Sequence, residues 1–328
     1  MRRAWRRVTG IVLAIFVTFM VAELAASFLL PEPYVDRAPL VQVAPHPVLA
    51  YKLVPRQRTF SYQAPVLTDD EGLRILPATT ATSSWVFLGG SETFGKGVEA
   101  ERTYPALVQE ALGVRATNAG VPDYNIDQSV LWLERDGAAP DVVVLAFYWN
   151  DLFPEAGLKR DAPPVREWAP RAVLKQTGLL ERVAPLYTRS RVAYVLRNAL
   201  KERVGRWRGH PEQVWRDALL EGTSRPEIER GWARVAEQLD RFRTLADQRG
   251  FRPVVLALPI EHAVERGGPF PVVERLRTLA ADLEVVDATP SLLARARENE
   301  EPYIPWDGRP APAGHAAIAE ALVAALER

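Results

Sequence analysis

The stretch that decides the fold runs from Trp85 to Gly95 and reads WVFLGGSETFG. Its apolar half, which ends at Leu88, predicts a buried β-strand, and two glycines and a serine follow at once. Glycines let the chain turn sharply, and ligands of open α/β sheets bind where the strands end. We therefore expect the Ser91 hydroxyl on a tight turn at the carboxyl end of a strand, where it is either an ordinary loop residue or a reactive group.

Two chemistries compete for this loop. Gly90 to Lys96 has the G-x-x-x-x-G-K spacing of a phosphate-binding loop, but Gly97 stands where Ser or Thr would hold Mg²⁺. Such a loop also runs directly into a helix, whereas a proline in the next segment favours a helix start near Tyr104. The loop is not the G-x-S-x-G elbow either, because Thr93 fills the second glycine position. A nucleophilic serine on another kind of turn is the favoured interpretation.

Strand-like and helix-like runs alternate after Ser84. The predicted strands are Trp85–Leu88, Asp141–Phe147, Pro253–Leu258 and Glu284–Asp287. The predicted helices are Tyr104–Leu112, Asp127–Arg135, Pro226–Arg249, Val272–Asp282 and Ala316–Leu326. This alternation is typical of an α/β fold, a three-layer α/β/α sandwich with a parallel sheet, and we predict one such domain over 84–328.

The N-terminus predicts a membrane anchor. Residues 1–10 carry four arginines, and residues 11–30 are apolar and long enough to cross a bilayer. The basic end is expected to stay in the cytoplasm, which places the rest of the chain outside it, in the periplasm if the membrane is a bacterial inner membrane. Glu23 is the ionisable group inside the apolar stretch, and it would be protonated, placed near the interface or paired with a neighbour. A cleaved signal peptide is the alternative, but the apolar run continues past the small residues Ala25–Ser27.

Two further segments break the alternation. Residues 31–83 are rich in proline and have few periodic apolar runs, so an extended juxtamembrane segment is predicted there. Residues 152–225 are predicted to be an insertion at the rim of the sheet. Inside it, apolar residues from Val192 to Val204 have helical spacing with basic residues between them. This helix is either packed on the core or a lid or surface that contacts anionic lipid or glycan.

Four sequence blocks resemble those of the SGNH (GDSL-type) hydrolases, in the same order and with similar spacing. The first is GGSETFG at Gly89–Gly95, with Gly90 where the name-giving aspartate often stands; the others are NAGVP from Asn118, the strand ending in Asn150-Asp151, and DGRPAPAGH over Asp307–His315. The resemblance covers residue 84 to the C-terminus and implies an SGNH-hydrolase-like sandwich. It also implies a serine esterase or O-acyl hydrolase activity.

The resemblance assigns a role to each block. Ser91 would be the nucleophile, and the N–H groups of Ser91 and Gly120 with the Asn150 amide would form the oxyanion hole. Asp307 would orient a histidine base.

The base is the point at which this chain departs from the pattern. Arg309 occupies the expected histidine position, and an arginine does not deprotonate in a protein. His315 matches a second histidine of the family and is the candidate base, with His262, after the predicted strand Pro253–Leu258, as an alternative.

Composition limits the remaining possibilities. The 328 residues carry equal numbers of basic and acidic side chains and no cysteine, so the sequence predicts no nucleic-acid partner, zinc site or disulfide, and no metal or cofactor. The expected partners are the membrane and an ester of a glycan, lipid or envelope polymer. The alternatives are a degenerate domain in which Arg309 helps to bind an acylated or anionic glycan without turnover, or an acyltransferase that uses the same serine. The oligomeric state is left open.

Overall fold

The computed structural model describes residues 2–30, 32–136, 140–153, 166–167, 190–208 and 211–327. The chain divides into two compact units. One combines residues 1–35 with 170–210, and the other combines 36–169 with 211–328. The second unit holds all the sheets, and the first holds two long helices.

A parallel five-stranded sheet forms the centre of the larger unit. In spatial order its strands are β10 (Glu284–Asp287), β9 (Arg252–Ala257), β7 (Val142–Phe147), β5 (Ser84–Gly89) and β6 (Arg115–Gly120). All four predicted strands are present. The sequence analysis missed β6, because RATNAG has no apolar run; its residues pair in register with β5 from Ser84↔Arg115 to Gly89↔Gly120.

Helices cover both faces of the sheet. Inward residues such as Phe87, Val144 and Leu256 pack on one face with α3 (Tyr104–Leu112), α10 (Thr289–Arg297) and α11 (Pro312–Leu326). Leu88, Leu145 and Val255 pack on the other with α4 (Ile126–Asp136), α7 (Pro226–Arg249) and α9 (Pro271–Leu279). Fully apolar strands buried on two sides are what a parallel sheet requires. The predicted three-layer α/β/α sandwich is therefore confirmed.

The segment before the sheet differs from the extended connection predicted for 31–83. It contains two antiparallel hairpins, β1 (Gln42–His46) with β2 (Ala50–Leu53) and β3 (Arg58–Ser61) with β4 (Ala64–Leu67). These strands are short and two contain proline, so periodicity did not reveal them.

The hairpins belong to the larger unit and share a core with it. Val43, Leu53 and Val66 join Phe94 and Tyr124 in one buried cluster. Behind them lies the buried Arg74, whose guanidinium donates to the carbonyl oxygens of three residues on the next loop: Phe94 at 2.5 Å, Gly95 at 2.7 Å and Val98 at 2.5 Å. The hairpins therefore form a packed layer of the domain, with prolines such as Pro45 and Pro65 on its exposed side.

The smaller unit contains α1 (Arg2–Leu29) and α5 (Arg191–Arg208). Within α1, Thr9–Leu29 has a mean hydropathy of 2.3 over its most apolar window, and its side chains are mostly exposed. A helix of this length and composition can cross a bilayer, and an N-terminal signal sequence has the same features. The structure describes part of the predicted insertion at 152–225: the short strand β8 (Arg166–Glu167), α5, α6 (Pro211–Leu220) and the connection to α7. Residues 154–165, 168–189 and 209–210 of the insertion lie outside the described residues.

Candidate functional site

Ser91 begins a four-residue helix, α2 (Ser91–Phe94), directly after β5. Its side chain is at the carboxyl edge of the sheet and 3% exposed. The helix ends at once because Gly95 adopts a left-handed conformation with φ of 79°. A phosphate-binding loop needs a longer helix at this point, and Lys96, the lysine of that pattern, contacts Asp307 instead.

The N–H group that faces Ser91 belongs to Asp123, not to Gly120. The Asp123 N–H lies 3.4 Å from Ser91 Oγ, and Asp123 has a φ of 61°, a left-handed conformation that turns this amide out of the regular backbone direction. The Gly120 N–H donates to Asn118 Oδ1 at 3.0 Å. Both N–H groups are thus engaged within the chain, that of Asp123 with the serine hydroxyl itself, and the part of Gly120 in an oxyanion hole stays a prediction.

Gly120 has a packing role. A Cβ at this position would lie 2.3 Å from the Phe94 backbone nitrogen. Its absence lets α2 sit directly on the end of β6, which fixes where Ser91 starts.

Asn150 lies in a 3₁₀ turn, Trp149–Leu152, directly after β7. The next residue, Asp151, anchors the turn by accepting the N–H groups of Tyr148 and Ile126, each at 2.7 Å. Burial raises the pKa of Asp151 to about 8, although these two bonds favour its charged form. Asn150 is thus presented at the same edge of the sheet as Ser91 by a neighbouring strand, as predicted from the order of the blocks.

Asp307 lies in a tight loop in which the Ile304 N–H donates to the Arg309 carbonyl oxygen at 2.8 Å. Its carboxylate accepts bonds from the Tyr62 hydroxyl, from Lys96 Nζ at 3.3 Å and from Arg309 Nη1 at 2.6 Å. Burial would raise the pKa of Asp307, but Arg309, Lys96 and Tyr62 together hold it well below its usual range. Asp307 is therefore ionised and fully engaged with cations and a hydroxyl.

Arg309 lies among three carboxylates. Besides Asp307, its guanidinium approaches Asp123 Oδ1 at 3.7 Å and Glu92 Oε1 at 3.9 Å. Burial by itself would lower the pKa of Arg309, but Asp307, Glu92 and Asp123 raise it above the ordinary value. Arg309 is a permanent, compensated cation at the position expected for the base.

Glu92 explains a second departure from the resemblance. It is buried, which raises its pKa, and Arg309 opposes that effect. A Cβ on Gly90 would stand 2.8 Å from the Tyr124 carbonyl oxygen and 3.2 Å from Glu92 Oε2. Glycine at 90 therefore leaves room first for the Tyr124 backbone and also for the Glu92 carboxylate, which pairs with Arg309.

His315, the predicted base, is a core residue in this structure. It is completely buried in α11, its ring stacks on Tyr104 with centroids 5.8 Å apart, and Nδ1 accepts the Tyr104 N–H at 3.1 Å. Burial lowers the pKa of His315 to about 3, so it is neutral. None of its described contacts reaches Ser91 or Asp307, and we withdraw it as the candidate base.

His262 follows β9, in the short helix α8 (Glu261–Glu265), and is partly exposed. Among the described residues, no hydrogen bond joins His262 to Ser91, so the structure gives His262 no contact that a base would need.

Sequence reasoning assigned no role to four groups at the site: the Asp123 N–H beside Ser91 Oγ, Glu92 beside Arg309, and Lys96 and Tyr62 on Asp307. Glu92 lies in the first block and Lys96 directly after it, so both could have been noted as charged groups close to the serine in sequence. Tyr62 lies in the segment predicted to be extended, so no sequence signal pointed to it.

Comparison with known proteins gives similarity of a distant kind. No protein-family model matches the chain, and no curated protein sequence matches it. Among solved structures, similar ones include an alpha/beta hydrolase enzyme from the metagenome of Lake Arreo, with 17% identity over 75% of this chain and 95% of that one, at a TM-score of 0.42.

Two others have comparable scores. A member of the lipolytic protein G-D-S-L family from Veillonella parvula is 15% identical over 75% of this chain and 98% of that one, with a TM-score of 0.42. A catalytic mutant of an acetylxylan esterase from Geobacillus stearothermophilus is 15% identical over 75% and 94%, with a TM-score of 0.41. At this level of identity and superposition, nothing about the chemistry of this chain follows from them.

Proposed function

We propose that this chain is a membrane-tethered, extracytoplasmic domain of the SGNH type that binds a neutral ester-bearing group at Ser91 without hydrolysing it. The ligand class is an acylated glycan, lipid or envelope polymer. The observation that carries the proposal is the 2.6 Å bond between Arg309 and Asp307, at the position where a hydrolase of this type would keep its base.

Arginine at 309 removes the proton acceptor that serine chemistry needs. A serine hydroxyl is a weak nucleophile until a neighbouring base takes its proton. The guanidinium has donors only and keeps its charge, so it cannot take that proton. Asp307, which would orient a base, is occupied by Arg309, Lys96 and Tyr62.

The charges around the site favour a neutral ligand over an anionic one. Three carboxylates, those of Asp307, Glu92 and Asp123, surround Arg309, and Lys96 is the second cation nearby. Arg309 is thus already compensated, which argues against the bidentate capture of a carboxylate considered from the sequence. The N–H group of Ser91, at the start of α2, remains suited to the carbonyl oxygen of an ester.

The location is proposed from the N-terminal helix. Its apolar length fits a bilayer, and the arginines before it favour a cytoplasmic N-terminus. Uncleaved, this helix would hold the larger unit on the opposite side of the membrane, where surface polymers and lipids are within reach.

Ester hydrolysis or acyl transfer is the second candidate, and one observation favours it. Ser91 stands at the start of a helix, where the first N–H groups have no partner within the helix and are suited to stabilising an oxyanion. Either reaction would need a base that the contacts of the described residues do not supply.

The deciding experiment measures binding and turnover together, on the chain without its first 30 residues. An O-acetylated oligosaccharide is titrated calorimetrically while released acetate is followed by NMR. We expect binding without acetate release, and loss of binding in Ser91→Leu because a larger side chain fills the site. Thr278→Ala, which removes an exposed hydroxyl on α9, is the control and should bind normally.

Turnover is tested with p-nitrophenyl acetate and butyrate on four proteins: the wild type, Ser91→Ala, Arg309→His and Arg309→His/Glu92→Gln. We expect none from the wild type or from Ser91→Ala, which should fold normally. The histidine variants test whether a base alone restores catalysis, and the double variant also removes the carboxylate that Arg309 compensated. Hydrolysis by the wild type that disappears in Ser91→Ala would establish the second candidate in place of the first.

A further inference from the structure

The start of α5 is bonded to α1 by a carboxylate that belongs to the apolar helix. Glu23 Oε1 accepts the Arg191 N–H at 2.6 Å. Its Oε2 accepts the Ser190 hydroxyl at 2.8 Å and the Val192 N–H at 3.2 Å. The first N–H groups of a helix have no partner within that helix. Glu23 therefore caps α5 from another helix and lies at the positive end of its dipole.

Arg191, in turn, forms hydrogen bonds with backbone carbonyl groups at the end of α1. Its guanidinium donates to the carbonyl oxygens of Leu30 at 2.7 Å and of Ser27, and contacts that of Ala26 at 3.5 Å. Ser27 lies in the last turn of α1 and Leu30 follows the helix directly, where carbonyl groups lack helical partners; the Ala26 carbonyl also accepts the Leu30 N–H at 2.9 Å. Each helix end thus bonds to the other, and of the alternatives considered for Glu23 the structure shows pairing with a neighbour. We name this pair of contacts the Glu23–Arg191 lock.

The lock lies near the end of the apolar span. Glu23 precedes the end of the span at Leu29 by six residues, which is about 9 Å along a helix axis. If α1 crosses a bilayer, α5 begins close to the boundary between the hydrocarbon and the headgroups. An ionised side chain at that depth is costly without a partner, and the lock supplies hydrogen bonds and a cation.

The exposed face of α5 is apolar and is bordered by basic residues. Leu196 is 65% exposed, Leu200 64% and Trp207 84%. At 3.6 residues per turn these three lie within about 40° of one another on the helix. Arg197 and Lys201 are exposed about 60–140° further around the helix, whereas Arg203 is exposed on the same face, within about 60° of all three. Two leucines and a tryptophan on one face beside arginine and lysine form the pattern of a helix that lies in a membrane interface.

We infer that α5 is a membrane-interface helix, held at the outer end of α1 by the Glu23–Arg191 lock, with Leu196, Leu200 and Trp207 in the bilayer that α1 spans. The bilayer is the occupant of this face because α5 is bonded to a helix whose own exposed apolar surface requires one. This inference rests on the proposed membrane anchoring by α1.

The test uses the absence of cysteine from the native chain. Single-cysteine variants of the full-length protein carry an environment-sensitive fluorophore and are reconstituted into phosphatidylcholine–phosphatidylglycerol vesicles with doxyl-labelled lipid as quencher. Val17→Cys reports on α1, Leu196→Cys and Leu200→Cys on the apolar face of α5, and Lys201→Cys on its basic side. We expect quenching at 196 and 200 to exceed that at 201 about threefold.

The outcomes separate the two claims. Without quenching at 17, α1 does not span and the proposed anchoring fails. With quenching at 17 and equal, weak quenching at 196, 200 and 201, anchoring stands and the inference is overturned. A disulfide between two copies of unlabelled Leu196→Cys under a mild chemical oxidant, together with weak quenching in the labelled protein, would show that a second copy covers this face and would also overturn the inference.

A second pair of variants tests the lock. Glu23→Ala removes the cap, so quenching at 196 should fall towards the value at 201 while quenching at 17 is unchanged. Glu32→Gln is the matched control, because that exposed carboxylate also lies near Arg191, at 3.5 Å, but takes no part in the cap. Unchanged quenching at 196 in Glu23→Ala would refute the lock as the element that holds α5.

Discussion

Replacing Arg309 by glutamine should destabilise the larger unit much more than removing an ordinary surface arginine. The substitution takes one cation from among three carboxylates and leaves Glu92, which is buried, without its compensating charge. Removing one partner of a buried ion pair typically costs about 3–5 kcal/mol. Lys96 and Tyr62 remain on Asp307, so we expect about 3 kcal/mol, the lower end of that range.

The sign of the pH dependence follows from Asp307. Arg309 lowers the native pKa of this carboxyl, so its contribution to stability is present above the unfolded-state pKa and is lost as the pH falls. The difference between wild type and Arg309→Gln should therefore be largest near neutral pH. It should shrink below about pH 5, where the carboxyls begin to take up protons and no longer need the guanidinium.

The assay is urea denaturation of the chain without its first 30 residues, at several pH values. Arg56→Gln is the control, because Arg56 and Asp70 form an exposed, solvent-screened pair whose loss should leave the urea midpoint almost unchanged. Adding Glu92→Gln to Arg309→Gln should restore about 1–3 kcal/mol, since the unpaired buried charge is then gone. A cost below about 1 kcal/mol for Arg309→Gln, or no recovery in the double variant, would refute the reasoning.

Three further predictions concern parts of the fold that position the site. Burial holds the pKa of His315 at about 3, so only the unfolded chain takes up a proton on this residue as the pH falls from 7 to 5.5. The wild type should therefore lose about 1 kcal/mol of stability over this range that His315→Gln does not lose. Parallel pH profiles of the two proteins in urea denaturation would contradict this. Arg74→Met leaves the carbonyls on α2 and the following loop without a donor and should cost at least about 3 kcal/mol, against almost nothing for the exposed Arg56→Met, as measured by urea midpoints. Gly120→Ala forces a Cβ against the Phe94 nitrogen and should lower stability by about 1–3 kcal/mol, whereas Gly268→Ala, which meets nothing within 4 Å, should be near neutral in thermal denaturation.

The sequence was sufficient to predict a strand or helix that has a clear apolar pattern of its own. The runs Asp141–Phe147 and Pro226–Arg249 are long and regular, and the structure has elements there with bounds equal or nearly equal to those predicted. It was insufficient where partners determine the structure. Strand β6 is polar and becomes a strand because it pairs with β5, and the hairpins before residue 84 are stabilised by residues that come much later in the chain.

The same distinction applies to the candidate site, where a local motif predicted some features and tertiary contacts determine the others. Ser91 follows from a local motif, and the structure brings the Asp307 loop into contact with Lys96 in the serine loop. The direction of a backbone N–H does not follow from a motif. That the Gly120 N–H donates to Asn118, while the Asp123 N–H donates to Ser91 Oγ, is therefore known only from the structure. The place of His315 likewise depends on Tyr104, which is distant in sequence but stacks on its ring.

The shared core of the hairpins and the serine loop has a consequence for how the chain is made. Val43 and Leu53 are synthesised long before Phe94 and Tyr124, the residues that bury them. Until those residues emerge, the hairpins have short strands and no apolar layer to pack against, and an isolated hairpin is at best marginally stable. The hairpins, which are synthesised first, therefore cannot complete their packing until the serine loop has been synthesised. A shortened form that begins at residue 84 would lack the hairpin side of this cluster and leave Phe94 and Tyr124 uncovered there.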